Sequence, residues 1–175
     1  MSGRGAILAA VALAAFAGCS SDPTRGYSFA STYPANVHSV AVPVFDNRSF
    51  QRGLEVELAD ALVKEIQRTT PWVVVQGSSG GGADTTLTGS ITDAALRDLS
   101  TSSPTGLVQE MAVELTVDFE WRDARTGKDL VSRKSFKALE SFVPSGPSRE
   151  RLELGKHAAV QELARGIVAE LRSNW

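Results

Sequence analysis

Cysteine is almost absent from this sequence, since Cys19 is the only one among 175 residues. A single thiol excludes an internal disulfide. The two histidines, His38 and His157, have no cysteine, histidine or aspartate near them at the spacing of a metal site. We therefore expect no metal and no cofactor, and a fold that is stabilised by packing.

An excess of basic residues is also missing. Lysine and arginine number 18 against 20 aspartates and glutamates, which gives a formal net charge of −2. Proteins that bind nucleic acid usually carry a clearly basic surface, because phosphate neutralisation supplies much of the affinity. We therefore predict that nucleic acid is not a partner.

Catalytic motifs are weak. Gly77 to Gly81 formally matches G-x-S-x-G around Ser79, but a nucleophile elbow leads into a helix, and here Thr85 to Thr88 reads as a strand. Gly127-Lys128 lacks the remaining positions of a phosphate-binding loop and fits a hairpin turn. The sequence therefore predicts a protein that is not an enzyme, and an envelope hydrolase using Ser79 is a minor alternative.

The chain has no apolar run long enough for a membrane span, which takes about 20 residues. It does begin with Arg4 and the apolar stretch Ala6 to Ala17, the layout of an export signal. Ala17-Gly18-Cys19 resembles the bacterial lipobox, which implies that the Cys19 thiol receives a diacylglycerol and that the acyl chains anchor the protein. We expect a lipoprotein signal peptide at 1–18, a lipidated tether and entry segment at 19–36, and a single α+β domain at 37–175.

Apolar periodicity predicts strands over 37–45, 72–76, 85–99, 107–123 and 129–143, and helices over 54–68 and from about 149 to 172. The order strand, helix, strand at the start predicts a βαβ unit with parallel strands. Pro43 favours an edge or a bulge in the first strand, and the apolar stretch 72–76 is expected to be buried. Lys134 interrupts the apolar series of the last strand and predicts a bulge there.

The strand at 107–123 alternates most clearly. Its odd positions are apolar, from Met111 to Trp121, and its even positions include Glu110, Glu114, Asp118 and Glu120. One dry and one polar face are typical of an antiparallel sheet that is covered on one side. The predicted fold is α+β, with two helices packed on one face of a four- to five-stranded, mostly antiparallel sheet. The polar face must meet water or a polar partner.

Several short patterns occur in an order that resembles one family. They are Cys19 followed by Gly26-Tyr-Ser-Phe29, then Val40 to Phe50 (VAVPVFDNRSF), the helix from Leu54, Trp72 to Val75, and Ala83 to Gly89 (ADTTLTG). This succession resembles the LPS-assembly lipoprotein LptE family over essentially the whole chain after the leader. The resemblance implies two helices packed against a sheet, which agrees with the fold predicted from the residues.

The resemblance also implies a function. A member of this family is lipid-anchored at the periplasmic face of the cell outer membrane, binds and plugs an LptD-like outer-membrane β-barrel, and assists lipopolysaccharide transport and insertion into the outer leaflet. Arg97, Arg149 and Arg151 lie near predicted loop boundaries and are candidate contacts for lipopolysaccharide phosphates. The alternative is another periplasmic lipoprotein of related α/β fold, acting as a secretion-apparatus component or synthase activator.

Overall fold

The computed structural model describes residues 34, 36–75, 82–101, 108–143 and 150–173. The predictions for the leader 1–18, Cys19, most of the segment 19–36, Ser79 and Arg149 lie outside the described residues. For Arg151 the backbone is described and the side chain is not.

The described chain forms six strands and two helices. They are β1 (Ser39–Ala41), β2 (Asp46–Asn47), α1 (Leu54–Thr69), β3 (Val73–Val75), β4 (Thr85–Thr101), β5 (Val108–Asp123), β6 (Asp129–Phe142) and α2 (Glu150–Ser173). The strands make one sheet in the order β3-β1-β4-β5-β6, and β2 pairs separately with β4. The predicted α+β fold, with its early βαβ unit, is confirmed.

The first predicted strand is split in two. β1 ends at Ala41 and β2 begins at Asp46, and Pro43 lies between them. Proline has no amide hydrogen to donate to a neighbouring strand, so continuous pairing is not available there. Both halves pair in parallel with β4, and this split gives the sheet six strands where four to five were expected.

The prediction that the stretch 72–76 is buried is only partly correct. Trp72 is 3% exposed, whereas Val73 is 64% exposed. β3 pairs in parallel with β1, as predicted, but it is the outermost strand on that side of the described sheet. An edge strand of three residues is covered on fewer sides than an interior strand, which explains the exposure of Val73.

The bulge predicted in β6 is present. Val117 pairs with Phe136 and Phe119 pairs with Arg133, so Lys134 and Ser135 stand opposite the single residue Asp118. Ser135 has a left-handed backbone, with φ of 52°, and its amide donates to the Asp118 Oδ1 at 2.7 Å. The extra residue changes the phase of the strand, which separates Lys134 from the apolar series.

One apolar core joins both helices to the dry face of the sheet. The odd positions of β5 from Val113 to Trp121 are at most 3% exposed, as the alternation predicted. They cluster with buried side chains of α1 and α2, including Leu58, Leu62 and Leu163. The Trp72 ring lies 5.0 Å from the Trp121 ring. Aromatic pairs of this kind add stabilisation beyond the area that they bury.

Glycines allow α2 to approach β6 closely. A Cβ atom at Gly155 would lie 2.9 Å from the Phe142 ring, and one at Gly166 would lie 3.0 Å from the Phe136 ring. Both phenylalanines therefore occupy space that a larger helix residue would fill. The two helices also contact each other, and His157 Nδ1 lies 2.5 Å from the Glu57 Oε1 between them.

Candidate functional site: the open face of the sheet

We call the side of the sheet opposite the helices the open face. In β5 it carries the even positions, among them Glu114, Thr116, Asp118 and Glu120, which alternate with the buried residues of the core. Thr116 is 7% exposed even though neither helix covers this side. Its register partners are Asp93 of β4 and Lys137 of β6, and cross-strand neighbours of this kind stand about 5 Å apart.

An ion triad crosses the part of this face that lies towards the end of β4 and the start of β5, called the distal part below. Glu114 Oε1 accepts from Arg97 Nη2 at 2.9 Å and from Lys137 Nζ at 3.2 Å. The Glu114 side chain is 12% exposed, and each cation is 53% exposed. The hydrogen bonds from Arg97 and then Lys137 hold the pKa of Glu114 below its usual value. Two cations share one carboxylate, so the triad carries one surplus positive charge.

An apolar side chain adjoins the triad. Leu139 of β6 stands directly opposite Glu114 in the register, on the same side of the sheet, and is 47% exposed. The distal part of the open face therefore combines positive charge with exposed aliphatic surface. Such a surface is complementary to an anionic amphiphile or to a mixed polar and apolar protein wall.

A polar cleft occupies the other part of the open face. Its volume is about 290 Å³. Its charged lining includes Asp46, Arg48, Asp118, Glu120 and Lys134, and Thr88, Ser90 and Ser132 add hydroxyl groups. The bulge in β6 helps to form this cleft, because it turns Lys134 toward the cleft and fixes the Asp118 carboxylate through the Ser135 amide.

The charges of the cleft are unequally paired. Glu120 Oε2 accepts from Arg122 at 3.0 Å, and Arg122 also pairs with Asp129 at 2.7 Å. Arg48 and Lys134, by contrast, make no ion pair with any residue that the structure describes. The cleft thus offers both carboxylates and two available cations, which suits a ligand surface that carries both signs of charge.

The three arginines predicted as contacts are not brought together by any described contact. Arg97 lies in the triad, Arg151 lies in the first turn of α2, and Arg149 is outside the described residues. Lys137, which shares the carboxylate with Arg97, was not predicted from the sequence. Finding Lys137 required the register of β6 against β5, which the bulge changes.

No metal or membrane-spanning feature appears in the part of the chain that the structure describes. No three histidine, cysteine, aspartate or glutamate side chains there are grouped so that they could hold a metal ion. No described helix combines the length and the apolar character needed to cross a membrane.

Comparison with known proteins identifies one family. The model of the LptE family, described as lipopolysaccharide-assembly, matches residues 37–171. No curated protein matches the sequence significantly. The matched range includes every described strand and most of α2, so it covers both the core and the open face.

Similar solved structures share the fold at low identity. The hypothetical protein CT253 from Chlamydia trachomatis is 12% identical, with 79% of this chain and 97% of that chain covered and a TM-score of 0.57. A point variant of the PelC dodecamer from Paraburkholderia phytofirmans is 14% identical, with 81% and 94% covered and a TM-score of 0.53. Protein XCC0632 from Xanthomonas campestris is 10% identical, with 77% and 85% covered and a TM-score of 0.50. At these identities the likeness extends to the fold alone.

Proposed function

Because the chain belongs to the LptE lipopolysaccharide-assembly family, we propose that it is a non-catalytic, lipid-anchored outer-membrane lipoprotein. In this proposal it binds and plugs an LptD-type β-barrel and assists lipopolysaccharide transport and insertion into the outer leaflet. The observation that carries the proposal is the open face, a charged sheet surface that neither helix covers. The lumen of an outer-membrane barrel is polar, so this face is the natural surface to lie against its wall.

The anchor in this proposal is Cys19, which would carry the acyl chains at the periplasmic side of the outer membrane. Two or more acyl chains give stable membrane attachment, whereas one gives marginal attachment. Metabolic labelling with palmitate tests this step. We expect the wild-type chain to be labelled and a Cys19→Ser variant to be unlabelled, and equal labelling of the two would refute the assignment.

Lipopolysaccharide contact is assigned to the ion triad. The surplus charge of Arg97 and Lys137 is available to lipid A phosphates, which form strong, charge-assisted hydrogen bonds with such donors. Leu139 beside the triad provides apolar surface for the neighbouring acyl region. Arg149 and Arg151, near the start of α2, remain further candidate contacts from the sequence.

The barrel partnership is tested by purifying the tagged chain from detergent-solubilised outer membranes. We expect one large β-barrel protein to be recovered with it in a constant ratio. Recovery without such a protein contradicts the proposal. A stable ring of copies of this chain in detergent would instead favour the alternative, a secretion-apparatus component or synthase activator.

The triad is tested with purified lipopolysaccharide. The double variant Arg97→Glu/Lys137→Glu is expected to bind at least tenfold more weakly, because a hydrogen bond between charged groups contributes about 1.5–3 kcal/mol. Arg165→Glu is the matched control, since Arg165 on α2 is also 53% exposed and paired with one glutamate. Equal affinities for the double variant and the control would remove the triad from the proposal.

A further inference from the structure

The loop between β2 and α1 presents the most exposed aromatic side chain of the described chain. This RSFQR loop consists of residues 48–52. Phe50 is 106% exposed, whereas the next most exposed large apolar side chain among the described residues, Leu154, is 67% exposed. A single exposed apolar residue is common on protein surfaces and needs no function by itself. What distinguishes Phe50 is how the loop around it is held.

Asn47 organises the loop from both sides. Its Oδ1 accepts from the Ser49 amide at 2.9 Å and from the Ser49 hydroxyl at 2.7 Å. Its Nδ2 donates to the Gln51 carbonyl at 2.7 Å and to the Glu55 Oε2 at 2.6 Å. Hydrogen bonds before and after Phe50 thus fix the backbone that carries it.

The same network fixes the loop to the first turn of α1. Glu55 Oε2 also accepts from the Gly53 amide at 3.0 Å. Hydrogen bonds, from the backbone of Glu55 itself first and then from Asn47, lower the pKa of Glu55. Gly53 precedes the helix with φ of 93°, which favours glycine. The Phe50 backbone is therefore rigid with respect to the helix, and little conformational entropy is lost when a partner covers it.

Two cations flank the aromatic ring in sequence. Arg48 and Arg52 are both exposed, and neither makes an ion pair with a described residue. Arg48 also lines the polar cleft, so the loop and the cleft form one continuous surface. An aromatic residue and arginines on a rigid support are the residue types that dominate the binding energy of protein interfaces.

We propose that the RSFQR loop is the docking anchor for the barrel partner, with Phe50 inserted into an apolar pocket bordered by carboxylates that pair with Arg48 and Arg52. This inference rests on the proposed function and adds the contact that it leaves unassigned. The cleft favours a protein wall over an anionic lipid surface. Asp46, Asp118 and Glu120 line it together with Arg48, Arg133 and Lys134. A lining that carries both signs of charge is complementary to a protein wall that also carries both signs, whereas a surface of lipid phosphates carries only one.

The docking role of the RSFQR loop is tested by measuring the affinity of the purified, lipidated chain for the detergent-solubilised LptD-type barrel. Phe50→Ala is expected to weaken binding by at least thirtyfold, the effect of losing an interface hot spot of about 2 kcal/mol. Arg48→Glu/Arg52→Glu is expected to weaken binding and to slow association at low salt, since rim charges mainly change the association rate. Val56→Ala is the matched control, because Val56 is 59% exposed on the first turn of α1.

Asn47→Ala separates positioning from direct contact. It keeps Phe50 and both arginines and removes the hydrogen bonds that fix the loop, so binding is expected to weaken less than in Phe50→Ala. Adding Phe50→Ala to this variant should then cost less than it costs the wild type, because the two residues act as a unit. Full additivity of the two changes would contradict the rigid-anchor argument.

The outcomes distinguish this inference from the function on which it rests. If the wild type forms no complex with the barrel, the proposed function fails. If the complex forms and Phe50→Ala binds within twofold of the Val56→Ala control, only the docking role of the RSFQR loop is overturned. A photo-crosslinking benzoyl-phenylalanine at position 50 provides the second measurement in intact cells. An adduct with the barrel supports the docking role of the loop, and adducts with lipid alone overturn it.

Discussion

The two faces of the sheet are held by different forces. On the dry face, β5 places apolar side chains from Val113 to Trp121 against two helices, and all of them are almost completely buried. On the open face the same strand places charged residues that are fixed by ion pairs and by one backbone amide. The dry face therefore determines stability, and the open face is free to provide recognition, because changes there leave the apolar core intact.

The largest difference is expected between two leucines that lie on opposite faces. Leu115 is 1% exposed and Leu139 is 47% exposed. Leu115→Ala should lower the free energy of unfolding by about 2–5 kcal/mol, because it leaves a cavity in the core. Leu139→Ala should change it by about 0.5 kcal/mol or less. Urea unfolding of both variants checks this, and similar losses would contradict the division into two faces.

A smaller effect is expected on the dry face at Gly89, which pairs with Phe119. A Cβ atom there would lie 2.5 Å from the Asp118 carbonyl oxygen and 2.5 Å from the Phe45 ring. Gly89→Ala should destabilise by about 1–3 kcal/mol, because both neighbours would have to move. Gly166→Ala is the control, since it meets only the Phe136 ring, at 3.0 Å, and gains helix propensity. A larger loss in the control would contradict this account.

A substitution in the bulge is expected to raise the free energy of unfolding, whereas the preceding ones lower it. Ser135 adopts φ of 52°, which costs a non-glycine residue about 1 kcal/mol. Ser135→Gly should therefore raise the free energy of unfolding by up to about 1 kcal/mol, and thermal unfolding measures the gain. The Ser135 amide keeps its bond to Asp118, so the cleft should remain intact. A loss of stability in Ser135→Gly would show that the serine side chain has a role that its backbone does not explain.

The smallest expected effect is on the pH dependence of stability, through Glu114. Arg97 and Lys137 hold the pKa of Glu114 below its usual value of 4.5. A lowered pKa means that the folded state prefers the carboxylate, so its contribution is present above that usual value and is lost as the pH falls through the lowered one. Glu114→Gln should lose stability at neutral pH, by less than about 1 kcal/mol, and should lose less than the wild type on acidification below pH 4.5. Unfolding at a series of pH values checks this, and parallel curves would refute it.

The sequence predicted best what depends on local alternation. The odd and even positions of β5 gave both faces, and Lys134 among apolar residues indicated the bulge. At Pro43 an edge position or a bulge was predicted, and the structure instead divides the strand into β1 and β2. Proline removes one backbone hydrogen bond, but the sequence does not determine whether the strand then bends or ends. The exposure of Val73 was missed, since strand order decides which strand is an edge.

The candidate site was predictable only in part. Arg97 was identified from its position, but its partners Glu114 and Lys137 come from different strands and depend on register. No docking role was predicted for the RSFQR loop from the sequence, because its exposed phenylalanine gains meaning only from the hydrogen bonds of Asn47. Such contacts between side chain and backbone over a few residues leave no periodic signal in a sequence.

The bulge at Ser135 also affects how this sheet meets other sheets. In the described chain β6 is the outermost strand on its side, so a row of backbone amides and carbonyls lacks a strand partner. A long, flat row of this kind is a template on which another extended chain can assemble. The bulge interrupts the row, and Lys134, which makes no ion pair with a described residue, places a positive charge at the interruption. Bulges and charged side chains are features that disfavour edge-to-edge pairing of strands, so the feature that shapes the cleft also makes this edge a poorer template for another copy.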